Sequence, residues 1–145
     1  MTTELDTILR YKIRRETWTI AGHRFDLVWP ADMDALLDAP LTQKRSREDD
    51  YMPYWAQPWP GSVLLAEAVL RGEAGQCRPA IEIGCGIGLV SLAAAVKGWS
   101  IVATDYDADA IHFTQFNARQ NHLQLTRCEL LDYRMALPVP KFDLI

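Results

Sequence analysis

Glycines stand at 84, 86 and 88 in the run Glu82-Ile83-Gly84-Cys85-Gly86-Ile87-Gly88, with an acid two residues before the first of them. Glycine adopts positive φ in a tight turn without steric cost and lets a ligand approach the backbone closely. Where a helix follows, such a turn offers unpaired N–H groups to a polar or negatively charged ligand. Asp105 lies 21 positions after Gly84, at the end of the next apolar strand pattern. A carboxylate there can accept hydrogen bonds from both hydroxyls of a ribose. Turn and acid together point to an adenosine-containing cofactor in the crevice at the carboxyl ends of parallel strands.

The dinucleotide fingerprint G-x-G-x-x-G would require glycine at 89, where the chain has Leu89. The third glycine is Gly88 instead, and Glu82 adds negative charge that a pyrophosphate disfavours and a sulfonium amino acid tolerates. An NAD-dependent oxidoreductase is therefore the weaker enzyme reading, and a non-catalytic module of the same fold is a third. Cys85 sits inside the turn with no paired base, so it reads as a small residue that fits rather than a nucleophile. His23, His112 and His122 have no metal-ligand spacing, and no metal site is expected.

The elements that must position these groups are legible in outline. Residues 17–30 alternate around Ala21-Gly22, with Trp18 and Ile20 before the turn and Phe25, Leu27 and Trp29 after it. This reads as an antiparallel hairpin with one buried face. Asp32 or Asp34 can cap a short helix through Leu37. Residues 41–50 are charged and aperiodic, which reads as a loop. The stretch from Tyr51 to Pro60 is aromatic and proline-rich, and Trp55 in it reads as packing. Pro60 suits the first position of a helix running to about Arg71, mostly covered, with Glu67 and Arg71 paired on the wet side.

From residue 78 the pattern alternates strand and helix. Strands are predicted at 80–83 and 100–104, with a third inside 123–131 and a fourth beginning at 141. Helices are predicted at 87–97, closed by Gly98, and from Asp107 to about Asn121. Right-handed βαβ units of this spacing imply an α/β, doubly wound, mainly parallel sheet covered on both faces, with the hairpin as an N-terminal extension. The chain is read as one domain: residues 1–60 carry the hairpin and the aromatic lead-in, and 61–145 the cofactor-binding region. The last residues fall inside a strand pattern, which suggests either a fragment or a sheet completed by something else, with an open edge that invites self-association.

Composition bounds the rest. The 145 residues, 49% hydrophobic and 23% charged, suffice for one core without a metal or disulfide staple. Fifteen basic against nineteen acidic residues give a net charge of −4, which disfavours nucleic acid as a partner. Arg10, Lys12, Arg14 and Arg15 read as solvated surface, with RNA contact as the alternative; Lys44, Arg45 and Arg47 are offset by Glu48, Asp49 and Asp50. The longest apolar run, 88–96, is too short for a bilayer, and the first residues lack a secretory pattern. Three cysteines without a C-x-x-C pair fit a reducing cytoplasm.

The E-x-G-x-G-x-G form of residues 82–88 resembles the first motif of class I, seven-stranded S-adenosylmethionine-dependent methyltransferases. Further matches are Thr104-Asp105-Tyr106-Asp107, Leu131-Asp132-Tyr133 and Phe142-Asp143-Leu144-Ile145. The segment from Tyr54 to Ala66, with Trp59, resembles the small methyltransferase-like protein-lysine methyltransferases. This resemblance implies S-adenosylmethionine as cofactor, held by Trp59, Glu82, Gly84, Gly86, Gly88, Asp105, Tyr106, Asp132 and Tyr133. Glu82 would serve the methionine end, Asp105 the ribose, Tyr106 the adenine face and Asp132 the adenine amino group. It further implies protein lysine methylation, with a small amine as the other open acceptor. The catalytic (D/E)-x-x-(Y/F) motif of that family follows the fourth strand, so catalytic residues stay unassigned.

Overall fold

The computed structural model describes residues 3–75, 79–135 and 142. Its first helix, α1 (Glu4–Leu9), has no counterpart in the sequence reading. The signal is short but present: Thr3 and Asp6 form a reciprocal capping box, and Thr7 and Ile8 are buried. β1 (Ile13–Ile20) and β2 (His23–Pro30) then pair antiparallel, with Trp18 opposite Phe25. Ala21 and Gly22 make the two-residue turn at φ 46° and 80°, the positive values whose twist suits a tight hairpin. Phe25, Leu27 and Trp29 bury one face of β2 as the alternation predicts. Val28 on the other face is buried too, in a cluster with Trp55 and Phe113, so this strand is enclosed on both sides.

Asp32 caps α2 (Met33–Asp38) by accepting from the Ala35 N–H at 2.9 Å. The predicted loop at 41–50 is instead a helix, α3 (Pro40–Asp49). Proline occupies its start, and Lys44 and Glu48 pair one turn apart at 3.9 Å. It shows no apolar stripe because polar contacts dock it: the Arg45 guanidinium donates to Asp107 at 2.9 Å. That contact also corrects the reading of Arg45 as solvated surface.

After a 3₁₀ turn at Tyr54–Ala56, α4 (Pro60–Arg71) begins on its proline and stops at Gly72, φ 79°. Glu67 and Arg71 pair at 2.5 Å as expected. The expectation that most of α4 is covered fails: Ala66, Val69 and Leu70 are buried, whereas Leu64 and Leu65 are 67% and 52% exposed. Only one stripe of this helix meets the hairpin and the helix that follows.

β3 (Pro79–Ile83), α5 (Leu89–Val96), β4 (Ser100–Asp105), α6 (Ala108–Gln120) and β5 (Arg127–Leu130) complete the α/β region. The strands form a parallel sheet in the order β3-β4-β5, with Glu82 beside Ala103 and Asp105 beside Leu130. Ala80, Ile101 and Ala103 face α5 and α6. Both helices lie on one face because the strand order advances in one direction and right-handed crossovers land on the same side. Covering of the second face by helices, predicted from sequence, is not seen among the described residues. The predicted fourth strand and its open edge fall, apart from Phe142, outside them. Among the described residues no helix is long and apolar enough to cross a membrane.

One buried side chain ties hairpin to sheet. The Asn117 carbonyl accepts from the Val28 N–H at 2.8 Å, and its amide donates to the Val28 and Ile87 carbonyls at 3.0 Å each. Ile87 is in the glycine turn, so α6 positions both the hairpin and the loop.

Candidate functional site

Gly84, Gly86 and Gly88 take φ of 77°, 57° and 89°, all left-handed values that disfavour a side chain. The N–H groups of Gly84 and Cys85 both donate to the Thr104 carbonyl at 2.8 Å, pinning the turn to the end of β4. Gly86 donates its N–H to Asp105 Oδ2 at 2.9 Å, and Asp107 donates its own to Oδ1 at 3.0 Å. Asp105 is buried and its carboxyl is raised above the usual range, chiefly by that burial. Each oxygen holds one N–H and keeps lone-pair capacity for further donors.

Gly88 serves a different purpose. A Cβ there would stand 2.7 Å from Thr114 Cγ2 on α6, so glycine is required for helix packing. The Thr114 hydroxyl also donates to the Gly86 carbonyl at 3.0 Å. Cys85 contacts the same threonine and is buried; the neighbouring Cys128 thiol and that burial push its thiol well up, against the lowering effect of the Thr114 hydroxyl.

Glu82, at the end of β3, accepts from the Ser91 hydroxyl on α5. Burial lifts its carboxyl from the ordinary 4.5 to about 7, against the lowering effect of the Ser91 hydroxyl and N–H. An acid raised in the folded state destabilises the fold once it ionises. Between pH ~4.5 and ~7 the unfolded chain has lost a proton that the folded chain keeps, so stability falls as pH rises through this window. Glu82→Gln should therefore gain melting temperature relative to wild type as pH goes from about 5 to about 8. A difference between the two proteins that stays constant with pH would count against a titrating Glu82.

A cavity of about 390 Å³ opens at the carboxyl ends of β3 and β4. Seven of the nine predicted residues line it: Trp59, Glu82, Gly84, Gly86, Asp105, Tyr106 and Tyr133. Gly88 and Asp132 are not among its lining residues. Asp132 is instead gripped by Arg134, whose Nε and Nη2 lie at 2.8 and 2.7 Å, and that guanidinium lowers its carboxyl to about 2. Trp59 is 44% exposed, and its Nε1–H donates to the Tyr54 carbonyl at 2.7 Å, so it is no core residue.

The sequence reading missed Arg134, Asp49 and Asp50, which also line the cavity. Arg134 reaches from the turn after β5 to Asp49 at the end of α3, at 2.5 Å. Reading 41–50 as a loop hid this contact. Trp55 packs against Tyr11 and Phe113, at 5.9 and 5.5 Å between ring centroids, and its carbonyl faces Gly86. Its Nε1–H donates to the Tyr51 hydroxyl at 3.1 Å, which in turn donates to Asp107 at 2.5 Å. Burial and that hydrogen bond raise the Tyr51 hydroxyl above the usual phenol range. Asp107 also caps α6 through the Asp109 N–H, so one carboxylate anchors α3, the aromatic segment and α6 beside Tyr106.

With this geometry in place, comparison with known proteins is informative. The chain is 36% identical over 95 residues to the electron transfer flavoprotein beta subunit lysine methyltransferase of Danio rerio, covering 64% of this chain and 36% of that protein. It is 38% identical over 72 residues to human methyltransferase-like protein 22, covering 48% of this chain and 18% of the other. The chain thus spans about a third or less of the length of these curated relatives. The solved structure of T. Thermophilus 16S rRNA N2 G1207 methyltransferase (RsmC), in complex with AdoMet and guanosine, superposes with a TM-score of 0.64. At 22% identity, over 91% of this chain and 32% of that one, it shows the fold to be the Rossmann-like one of a methyltransferase. None of these similarities supports the oxidoreductase reading. Residues 63–145, more than half of the chain, match the ribosomal protein L11 methyltransferase (PrmA) family, and the chain belongs to that family.

Proposed function

We propose that this chain binds S-adenosylmethionine in the cavity at the ends of β3 and β4, as the cofactor-binding part of a methyltransferase that modifies lysine side chains of proteins. The observation that carries this is the convergence of Glu82, two left-handed glycines, Asp105 and Tyr106 on one cavity. The donor set fits the group. Asp105 retains acceptor capacity for ribose hydroxyls, Glu82 offers a carboxylate to an ammonium, and the glycine backbones allow close approach. Tyr106 and Tyr133 supply ring faces for adenine, and Trp59 closes the cavity from the start of α4. Asp132 acts through Arg134 rather than by contact, and Gly88 by fixing the loop on α6. When bound, the cofactor supplies a methyl group already activated on a sulfonium, so the chain's task is to align the acceptor and exclude water.

The lysine acceptor is supported by the lysine methyltransferase relative, and net charge −4 weighs against nucleic acid. A reducing compartment such as the cytoplasm suits the free thiols of Cys85 and Cys128.

Calorimetric titration with S-adenosylhomocysteine and, separately, NAD tests the reading: binding of the first and not the second is expected. Asp105→Ala should weaken S-adenosylhomocysteine by ~1.5–3 kcal/mol, roughly 10- to 150-fold. Asp132→Ala should cost less, since Arg134 stands between it and the cavity. An Asp105→Ala protein that binds like wild type would show that the ribose lies elsewhere.

A further inference from the structure

We propose that Tyr54 and Asp50, with the free face of Trp59, form the acceptor side of the cavity and receive a protonated amine on an aliphatic stem, the chemistry of a lysine side chain. This rests on the reading of the cavity as a methyltransferase site and assigns its N-terminal wall.

Tyr54 is 61% exposed and Trp59 44%, although both line the cavity. Their rings meet edge to face at 5.8 Å and 69°. The indole N–H is satisfied by the Tyr54 carbonyl, and the Trp59 carbonyl accepts from Ser62 Oγ at 2.7 Å at the start of α4. The ring is therefore held at its polar edge while part of its surface is left open. Aromatic surface fixed this way and left uncovered is costly in water and suited to a partner. Ring faces attract cations through their quadrupole, and methylene stems pack well on them. Met52 and Pro58 line the same cavity and supply further apolar wall.

Charge selects the same ligand independently. Asp49, Asp50, Glu82 and Asp105 line the cavity, and Arg134 is the basic residue among its described lining residues. That guanidinium is already paired with Asp49 and Asp132. Asp50 ends α3 in a left-handed conformation, φ 48°, and has no hydrogen-bond or ion-pair partner among the described residues. An acid without a partner on a cavity that also carries open aromatic rings favours an ammonium and disfavours a phosphate-bearing acceptor. Tyr54 and Asp50 are thus specificity residues: they select and position the amine and take no part in moving its proton.

The test uses the whole chain and two probes, N-acetyl-lysine methylamide and its uncharged analogue N-acetyl-norleucine methylamide. Binding is followed by the side-chain NMR signals of Tyr54 and Trp59, and S-adenosylhomocysteine affinity is measured separately. The lysine probe should bind more tightly than norleucine. Tyr54→Ala and Asp50→Asn should each weaken it about 2- to 5-fold, the range of an exposed cation–ring or ion-pair contact. Their affinity for S-adenosylhomocysteine should not change. Equal binding of the two probes, no binding of the lysine probe, or unchanged lysine affinity in both variants would overturn the proposal. Failure of S-adenosylhomocysteine to bind wild type would instead sink the cofactor reading on which it rests.

Discussion

Gly86→Val should remove measurable S-adenosylhomocysteine binding from a chain that still folds. Gly86 sits at φ +57°, where a β-branched residue is a steric outlier costing of order 1–3 kcal/mol. Its Cβ would stand 3.4 Å from the Trp55 carbonyl, and the two methyl groups beyond must find room between that backbone and the cavity that Gly86 lines. The damage spreads through the backbone. The Gly86 N–H holds Asp105 Oδ2, and the Gly86 carbonyl accepts from Thr114, so a shifted residue 86 also releases the proposed ribose carboxylate. Affinity should fall by more than about 150-fold, beyond the loss of one charged hydrogen bond. The fold should survive with a melting point lower by roughly 2–12 °C, since ~1 kcal/mol shifts that of a domain this size by roughly 2–4 °C. Gly86→Ala, with the same φ and no branch, should lie between the two. A folded valine variant with wild-type affinity would place the cofactor away from this loop.

The contrast among the three glycines shows what spacing can and cannot tell. All three fit one motif, and all three adopt positive φ. Yet Gly88 is excluded from carrying a side chain by Thr114, a residue on α6 whose approach no local pattern records. Where the signal was local, the sequence was readable. The Ala21-Gly22 turn, Pro60 at the start of α4 and the Asp107 cap depend on neighbouring residues alone. α3 was unreadable because it docks through Arg45 and Arg134, which partner residues 107 and 49 from distant parts of the chain. Asp132 differs for a local reason: Arg134, two residues later, draws its carboxylate into an ion pair, and Asp132 does not line the cavity. The two tryptophans of the aromatic segment were read apart, Trp55 as packing and Trp59 as a cavity residue, and the structure buries the first and leaves the second 44% exposed on the cavity.

Asn117→Ala should produce the largest loss of stability from one surface-preserving change. The side chain is fully buried and uses its carbonyl and both amide hydrogens, on the Val28 N–H, the Val28 carbonyl and the Ile87 carbonyl. Alanine removes all three bonds at once. It leaves the Val28 N–H and two carbonyls facing a small void, each unsatisfied group costing ~1–3 kcal/mol. The Val28 N–H and C=O lie on the edge of β2 turned away from β1, so the antiparallel ladder does not satisfy them. A loss of about 3–5 kcal/mol is expected, a large share of the ~5–15 kcal/mol that holds a domain together. Thermal unfolding followed by circular dichroism should move down by roughly 6–20 °C at ~2–4 °C per kcal/mol. Asn121→Ala is the comparison, since Asn121 grips Asp26 at 2.8 Å from a partly exposed position where water can replace it. Its melting point should drop much less. An Asn117→Ala protein melting within about 2 °C of wild type would mean that apolar burial alone docks the hairpin on α6. The tie to Ile87 adds a second readout. If Asn117 holds the glycine turn through that carbonyl, the alanine variant should also bind S-adenosylhomocysteine more weakly at temperatures where it is still folded.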